Sequence, residues 1–395
     1  MNSNKKIVTY TLGCRANQYQ GAILTEAVED QIVEAHNSEP LRFTKFGQPA
    51  DIYIINTCTV TSDSDKKSRQ AIRRAIKLAK KVIVSGCFAR LNKESLQKEF
   101  PTVEFIDPDF KPTTKRDANR IRSFLMIEDG CENFCSYCIV PYARGKIKTK
   151  PVQDVLNEAR ELVETGAREI ILTGINLGEY GEKHLISIID KLSEIKNLLR
   201  IRLSSIEPMY VTNALLKTIS SNPKACHQLH IPLQSGDDQI LKAMNRKYKV
   251  KNFSDLIEKI YKIIPNCGVS TDVITGFPGE TDQNFKNTYN FCKEFSFSRI
   301  HIFPYSRREG TKAAKMQDQL PIKTIKERVG QLNKLRAELM KKFAGNYFGK
   351  EVEVLVEQKG KGLTSNFIRT KFNGTKDIVG QLYRFILREE NLILD

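Results

Sequence analysis

Apolar residues in the first hundred positions follow two alternating patterns. Short apolar runs in KKIVTYTLGC, DIYIINTCTV, KKVIVSGC and FPTVEFI are typical of buried strands. Between them QGAILTEAVEDQIVEA has helical apolar spacing, and a second helix is predicted over about 63–81. Strands that alternate with helices predict a small parallel α/β domain over residues 1–110. Its ligand site should lie beyond the carboxyl ends of the strands, where Cys14, Cys58 and Cys87 stand.

The same alternation resumes after a polar stretch. DPDFKPTTKRDANR, residues 107–120, contains two prolines and no apolar periodicity, so it is interpreted as a linker. Six strand candidates follow: SFLMIED, EIILTG, RIRLSS, HQLHIPL, VSTDVITG and RIHIFPY. Helices are predicted over about 151–165, 183–196, 211–220, 237–244, 252–263, 281–294 and 322–343. About six βα units predict a complete or partial parallel barrel over residues 120–345, with its active site at the carboxyl ends of the strands.

The last fifty residues, 346–395, change to short strands separated by KGKG and NGT turns. This pattern predicts a small all-β barrel that binds nucleic acid or packs on a neighbouring domain. No run of eighteen apolar residues is present, and the first residues lack the long apolar region of a signal peptide. We therefore expect an α/β protein of three domains that is cytoplasmic and has no membrane partner.

The charge balance adds a partner to this picture. The chain has 63 basic and 46 acidic residues, a net charge of +17. The excess is +6 in residues 1–120, +10 in residues 121–345 and +1 in residues 346–395. Such a surplus predicts a polyanionic partner, with RNA or DNA as the leading candidates. The alternative is a lysine-rich proteome in which every protein surface is basic.

Nine cysteines in a cytoplasmic chain point to metal ligation or catalysis rather than to disulfides. Cys131, Cys135 and Cys138 form a C-x3-C-x2-C loop in GCENFCSYCIVPYARG. Three thiolates leave one iron of a cubane cluster open to chelate a small molecule, whereas structural zinc wants four ligands. Phe134 and Tyr137 are expected to shield the cluster from water. The alternative is a zinc knuckle or reduced cysteines in a core.

This loop resembles that of the radical S-adenosylmethionine (SAM) superfamily, and GCENFCSYCIVPYARGK is similar to the methylthiotransferases. The resemblance covers nearly the whole chain: an N-terminal domain with three cysteines, a radical SAM barrel and a C-terminal TRAM domain. Three other segments resemble the branch that modifies threonylcarbamoyladenosine in tRNA: TLGCRANQYQ, NTCTVTSDSDKKSRQAIRRA and GCFAR.

The resemblance implies an enzyme that methylthiolates carbon 2 of N6-threonylcarbamoyladenosine 37 in tRNA. Cys131, Cys135 and Cys138 would hold the catalytic [4Fe–4S] cluster, which cleaves SAM to a 5′-deoxyadenosyl radical. A second SAM would methylate sulfur on an auxiliary [4Fe–4S] cluster. A reductant such as flavodoxin or ferredoxin would supply electrons, and the oligomeric state stays open.

The resemblance also implies that Cys14, Cys58 and Cys87 ligate the auxiliary cluster. They are 44 and 29 residues apart, so their spacing alone leaves buried, unreactive thiols as an open alternative. Cys226, Cys267 and Cys292 have no evident role beyond core packing.

Polar residues at successive strand ends are candidates for binding SAM. The resemblance implies that the string LTGINLGEYG meets the amino-acid part of the cofactor. The full set of candidate contacts is Tyr137, Thr173, Gly174, Asn176, Ser205, Glu207, Gln234, Asp272, Ser306 and Arg308. The guanidinium of Arg308 suits a carboxylate or a phosphate. Taken singly, each residue has a loop or capping role as its alternative.

Two segments are candidates for RNA contact. On a helix, KKSRQAIRRAIKLAKK puts Lys66, Arg69, Arg73, Lys77 and Lys80 on one side, with no acid among them. This pattern predicts a phosphate-binding face, with a solvated face as the alternative. In the C-terminal domain, Phe367 and Arg369 are expected to stack on bases or meet phosphates.

Three rival functions stay open. The nearest is the same reaction on isopentenyladenosine 37 of tRNA, which NTCTVTSDSDKKSRQ disfavours. Another is methylthiolation of a ribosomal protein, against which the basic balance argues. The third is a non-enzymatic RNA-binding iron–sulfur protein, which would gain nothing from an open iron.

Overall fold

The computed structural model describes residues 5–36, 42–107 and 120–394. The predicted linker lies almost entirely outside the described residues. The first hundred residues form a five-stranded parallel sheet in the order β2-β1-β3-β4-β5. Its strands are β1 (Lys6–Thr11), β2 (Arg42–Phe43), β3 (Ala50–Thr57), β4 (Ala79–Gly86) and β5 (Glu104–Phe105). Its helices are α1 (Arg15–His36), α2 (Ser62–Ile76) and α3 (Cys87–Glu99).

Helix α2 is shorter than predicted. Thr61 caps its first turn by accepting a hydrogen bond from the Ser64 amide at 3.1 Å, and Lys77 is its C-cap. The predicted helix over 63–81 is therefore wrong at its end, because β4 already pairs with β3 from Ala79 onward. Lys80 lies on that strand. Sheet pairing overrides the helical spacing of KLAKK.

The second region is a parallel barrel of six strands in the order β6-β9-β10-β11-β12-β13. Its strands, with a short antiparallel pair β7 and β8, are β6 (Arg122–Met126), β7 (Glu128–Asp129), β8 (Lys148–Thr149), β9 (Glu169–Thr173), β10 (Arg200–Leu203), β11 (Gln228–His230), β12 (Gly268–Thr275) and β13 (Arg299–Pro304). Its helices are α4 (Val140–Arg144), α5 (Val152–Glu164), α6 (Glu182–Ser193), α7 (Asn213–Ser221), α8 (Asp238–Ala243), α9 (Val250–Ile263), α10 (Asp282–Glu294) and α11 (Ile322–Gly345). Among the described residues no pairing joins β13 to β6, so the barrel is partial.

Alternate residues of the barrel strands face opposite sides. Leu125, Ile170 and Leu203 pack with the surrounding helices in the main apolar core. Because side chains alternate along a strand, their neighbours face the inside of the barrel. Many inward positions are polar, such as Glu169 on β9 and Asp272 on β12. We call this inner space the barrel lumen.

Helix α1 of the first domain packs on the open side of the barrel. Ala16, Tyr19 and Ile23 form an apolar cluster with Met126, and Phe124 and Ile175 pack against it. The Gln20 side chain donates to Asp129 at 3.1 Å, which joins α1 to the strand before the C-x3-C-x2-C loop. The first domain is thus fixed to the barrel beside its active end.

The last residues form an antiparallel sheet in the order β16-β15-β14-β17. Its strands are β14 (Glu351–Gln358), β15 (Lys361–Thr364), β16 (Arg369–Lys371) and β17 (Leu382–Ile386). The Arg200 guanidinium donates to the Leu363 carbonyl at 2.5 Å, which docks this sheet at the amino end of β10. The α/β class and the all-β C-terminal region predicted from the sequence are confirmed. None of the helices in the described residues has the length and apolar content to cross a membrane.

Candidate active site

The first domain brings three cysteines to one edge of its sheet. Cys14 follows β1, Cys58 follows β3 and Cys87 follows β4. These three strands are neighbours and parallel, so their carboxyl ends meet. The strand order reverses between β1 and β3, and such a reversal opens a crevice at that end of a sheet. We call Cys14, Cys58 and Cys87 the first cysteine set.

Glycines let the loops of this set approach one another. A Cβ on Gly13 would lie 2.7 Å from the Cys58 sulfur, and one on Gly86 would lie 2.3 Å from the Asn56 side-chain oxygen. Cys14 is exposed, while Cys58 and Cys87 are buried. Burial, with Cys14 nearby, raises the pKa of the Cys58 thiol, so a metal must displace a proton there.

The barrel supplies the second cysteine set, Cys131, Cys135 and Cys138, on the loop after β7. Burial raises the pKa of Cys131 to about 11 and that of Cys138 to about 12. The loop is held by backbone contacts: the Ser136 amide donates to the Met244 carbonyl at 3.0 Å, and the Cys138 amide donates to the Cys135 carbonyl at 2.9 Å. These hydrogen bonds fix the shape of the loop.

Arg246, in the segment between α8 and α9, contacts this loop. Its guanidinium lies 3.3 Å from the Cys135 sulfur and forms an ion pair with Glu207. A donor of this kind stabilises a thiolate and tunes the potential of a cluster bound to it. Glu207, predicted to contact SAM, is placed by this ion pair beside the cluster loop.

Arg144 connects the two cysteine sets. It ends α4, six residues after Cys138, and is 8% exposed. One guanidinium nitrogen lies 2.6 Å from the Asp129 carboxylate, and the other donates to the Asn17 side chain at 2.8 Å. The Cys87 sulfur lies 3.7 Å from the same Asn17 oxygen. A buried positive charge thus stands between the two loops.

The spacing of the thiols argues against single-ion sites. Thiolates around one zinc ion lie about 3.8 Å apart in a tetrahedron. Within the described parts of the chain, the only His, Cys, Asp or Glu group with ligand atoms all within 4.8 Å of one another is His230, Asp272 and His301. Neither cysteine set is so compact, which fits thiolates bound to different irons of a cluster.

A cavity of about 180 Å³ opens beside Cys138 of the second set, and the segment after Cys58 forms part of its wall. Val60 and Thr61, just after Cys58, form one wall, and Tyr137 and Cys138 form another. Among the remaining lining residues are Gln234, Asp272, Ile274, Phe303 and Ser306. A small molecule bound at the open iron of the second set would therefore lie in the same space as a group presented by the first domain.

Several buried side-chain oxygens near the carboxyl ends of the barrel strands have no hydrogen-bond partner among the described residues, and the one on Gln234 belongs to the cavity wall. They are the side-chain oxygens Glu128 Oε1, Asn176 Oδ1, Ser204 Oγ and Gln234 Oε1. A buried polar group without a partner is costly, so it marks a place for a ligand or an ordered water. Burial raises the pKa of Glu128 to about 7. Gln234 has a left-handed backbone at φ 65°, a strained conformation that is common at ligand sites.

The other predicted SAM contacts have varied surroundings. Thr173 donates to the Ile171 carbonyl at 3.0 Å, and a Cβ on Gly174 would meet the Glu128 carboxylate at 2.5 Å. Ser205 forms a backbone bridge with His230, between the strands β10 and β11.

Two predicted SAM contacts instead touch the first domain. Arg308 lies 2.6 Å from the Asp65 carboxylate. Ser306 accepts a hydrogen bond from the Ser62 amide at 2.9 Å and so also joins the two domains.

Asp272 belongs to a polar group in the lumen. Its carboxylate lies 3.1 Å from His230 Nε2, while His230 Nδ1 lies 3.0 Å from the Ser270 hydroxyl. Burial acts to raise the pKa of Asp272, but His230 and His301 hold it below the ordinary value. The carboxylate is therefore anionic at neutral pH.

The predicted RNA-binding helix differs from expectation in its charges. Acids pair with most of its cations: Lys67 with Asp63, Arg69 and Arg73 with Glu99, Lys80 with Asp51, and Lys81 with Glu104. The side of the helix that the sequence predicts to be free of acids thus gains acidic partners in the fold, because Glu99 and Asp51 come from other elements and leave no pattern in the local sequence. Lys66 and Lys77 have no ion pair within the described residues.

Phe367 packs against the barrel. Its ring lies 5.1 Å from the Arg202 guanidinium and 5.9 Å from that of Arg122, with Arg369 at 6.0 Å. This contact is of the cation–π type. Cys267 and Cys292 belong to the main core, and Cys226 is buried beside it.

Sequence reasoning missed Arg144, Arg246 and Glu128. Arg144 stands in PYARG directly after the cysteine loop, which was the one available signal. The partners of all three are distant in sequence, so no local pattern announces them.

Comparisons with known proteins agree with this geometry. A family model described as the radical SAM superfamily matches residues 126–292, and one described as uncharacterized protein family UPF0004 matches residues 6–107. The chain is 36% identical over 427 residues to the threonylcarbamoyladenosine tRNA methylthiotransferase MtaB of Bacillus subtilis (strain 168), covering 96% of this chain and 92% of the relative. It is 32% identical to the tRNA-2-methylthio-N(6)-dimethylallyladenosine synthase of Clostridium novyi (strain NT), covering 98% and 95%. The solved radical SAM methyltransferase TsrM of Kitasatospora setae shares the fold, with a TM-score of 0.58, 13% identity, and coverage of 79% and 77%.

Proposed function

Because the chain belongs to the radical SAM tRNA methylthiotransferase family, we propose that it methylthiolates carbon 2 of N6-threonylcarbamoyladenosine 37 in tRNA. The observation that carries this proposal is that Arg144 joins the loops of the two cysteine sets, and that Val60 and Thr61, just after Cys58, line the same cavity as Cys138. One set suffices to cleave SAM. A second set on the adjoining loops of the first domain suits the transfer of sulfur to a base from which the radical has removed a hydrogen atom.

Two [4Fe–4S] clusters and SAM supply the radical and sulfur-transfer chemistry when bound. Cys131, Cys135 and Cys138 would hold one cluster, and the first cysteine set would hold the other. Arg246 would orient and stabilise the thiolate of Cys135. The polar atoms of Glu128 and Asn176 suit the amino-acid half of SAM.

Part of the cavity wall is apolar or aromatic. Tyr137, Ile139 and Ile274 line it beside Cys138. A dry cavity protects a reactive radical from solvent.

We further propose a cytoplasmic location, tRNA as the macromolecular partner, and a one-electron donor such as flavodoxin or ferredoxin. The net charge of +17 supports a polyanionic partner.

Mass spectrometry of tRNA nucleosides from a deletion strain tests the proposal. The 2-methylthio group should disappear from threonylcarbamoyladenosine and return with the wild-type gene. Complementation with Cys131→Ala or Cys87→Ala should fail, because each removes one ligand of a different cluster. Cys292→Ala, which alters a buried cysteine of the core, is the matched control and should restore the modification.

The alternative substrate is N6-dimethylallyladenosine, since relatives with that activity are nearly as similar in sequence. Loss of the methylthio group from that nucleoside, with the threonylcarbamoyl nucleoside unchanged, would refute the proposed substrate. Retention of both methylthio nucleosides in the deletion strain would refute the proposed reaction.

A further inference from the structure

The barrel lumen is open to solvent and lined by charged groups. Phe124, His230, Asp272 and His301 all face inward yet remain partly exposed. A closed parallel barrel has a packed interior. Here the interior is accessible, and Asp272 joins it to the cavity between the cysteine sets. A substituent of a base bound in that cavity would therefore point toward the lumen where it passes Asp272.

At the amino end of the barrel lumen, three arginines stand beside three acids, Glu169, Glu353 and Glu357. Arg122 and Arg202 share the carboxylate of Glu169 at 2.8 Å each. Arg200 donates to carbonyls of the C-terminal sheet. These three guanidinium groups are therefore committed to structural partners.

Arg15 differs from them. Its guanidinium lies 6.0 Å from the ring centroid of Phe124, on the inner face of β6. Within the described part of the chain it has no hydrogen bond and no ion pair. The guanidinium groups of Arg122 and Arg202 stand near that of Arg15, and Glu169, the acid closest to them, is already paired with both. A partly buried cation beside other cations is stabilised by a negatively charged ligand.

The other titratable groups that face the lumen do not supply this negative charge to Arg15. Asp272 is paired with His230 at 3.1 Å. Burial lowers the pKa of His301 to about 4, with Arg299 and Arg15 adding to the shift, so its ring is neutral at pH 7. His230, Asp272 and His301 have the geometry of a cation site, but the two arginines beside His301 would repel a cation. The charge balance favours an anion.

We propose that Arg15 binds the carboxylate of the N6 substituent on the substrate adenosine and thereby selects the threonylcarbamoyl base over neutral ones. This inference rests on the proposed function. Arg15 directly follows Cys14, so their Cα atoms are about 3.8 Å apart. Carbon 2 of the base must lie close to the first cysteine set, and the N6 substituent is attached to the same ring system. A guanidinium pairs well with a carboxylate by bidentate hydrogen bonds.

The test compares anticodon stem-loops that carry threonylcarbamoyladenosine either as the free acid or as its neutral methyl ester. Binding to reconstituted enzyme without SAM is measured first, and methylthiolation second. Arg15→Gln should weaken binding of the acid on the order of 100-fold, as expected for loss of one partner of a buried charge pair. Binding of the ester should change far less. Arg15→Lys keeps the charge and should recover part of the affinity for the acid.

Arg42→Gln is the matched control, because it removes one exposed positive charge from the same domain. It should alter acid and ester binding equally and slightly. Equal losses for acid and ester in Arg15→Gln would overturn the proposal, as would a loss confined to SAM binding, which would assign Arg15 to the carboxylate of the cofactor. If wild-type enzyme does not modify the acid stem-loop at all, the proposed function fails instead.

Discussion

Arg144 is the residue on which both cysteine sets depend. Its two hydrogen bonds, to Asp129 of the barrel and Asn17 of the first domain, join loops more than a hundred residues apart. Both Arg144 and Asp129 are buried. Removing one partner of a buried ion pair leaves the other charge without compensation and is strongly destabilising.

Arg144→Gln should therefore lower the free energy of unfolding of the apo-protein by about 3–5 kcal/mol. The Arg144→Gln/Asp129→Asn double variant should lose less than the sum of the single variants, because both remove the same interaction. Urea denaturation of the four proteins measures this coupling. Arg384→Gln is the control: its ion pair with Glu353 is on the surface, and its loss should cost less than about 1 kcal/mol. Additive effects of the two buried substitutions would contradict the prediction.

Functional residues could be predicted from the sequence most readily where the whole motif lies within a short segment of the chain. The three cysteines of the second set stand within eight positions, so their spacing alone indicated a metal site. The first set is scattered over three strand ends, and the α/β alternation predicted that those ends meet. Nothing local indicated Arg144 or Arg246, because their function comes from partners that only the tertiary fold brings near.

At the scale of elements, α2 shows where periodicity fails. Its amphipathic spacing continues past Ile76, yet the chain leaves the helix and enters β4. Pairing of seven residues of β4 with β3 outweighs a few tenths of a kcal/mol per residue of helix propensity. Most barrel elements were predicted within a few residues, because each has a strong period and clear turn signals. The short strand β2 and helix α3 were not predicted.

The paired cations of α2 narrow the candidate RNA contact to Lys66 and Lys77. Both are exposed. Lys66→Glu with Lys77→Glu should weaken tRNA binding and reduce the slope of log affinity against log salt by about 1–2, since each lost phosphate contact removes about 0.7–0.9. Filter binding over a series of salt concentrations measures the slope.

The matched control for these lysines is Lys191→Glu with Lys196→Glu, an equal change of charge at exposed residues on and just after α6, outside the barrel. It should leave the slope nearly unchanged. An unaltered slope in the α2 variant would establish the solvated-face alternative and move the RNA contact elsewhere on the molecule.

At the scale of the whole molecule, the two ends of the barrel have separate roles. The carboxyl ends of its strands carry the cysteine loop and meet the first domain. The amino ends carry an ion-pair network that holds the C-terminal sheet: Arg202 donates to the Ser365 carbonyl at 2.9 Å and is fully buried. The absence of a strong charge in residues 346–395 agrees with a packing contribution of this sheet.

Glu169 is the centre of that network and the best place to test it. Burial acts to raise its pKa, but Arg202 and Arg122 lower it to about 2. A depressed folded-state pKa contributes stability above the unfolded pKa of about 4.3, and this contribution disappears as pH falls toward 2. Glu169→Gln should thus cost about 3 kcal/mol at neutral pH, and the gap to wild type should narrow below about pH 4.5. Urea denaturation at about pH 7 and about pH 3.5 measures both values.

Glu104→Gln, which alters an exposed ion pair with Lys81, is the control and should cost less than about 1 kcal/mol at either pH. A constant gap between Glu169→Gln and wild type would mean that packing, rather than the carboxylate charge, holds the C-terminal sheet to the barrel.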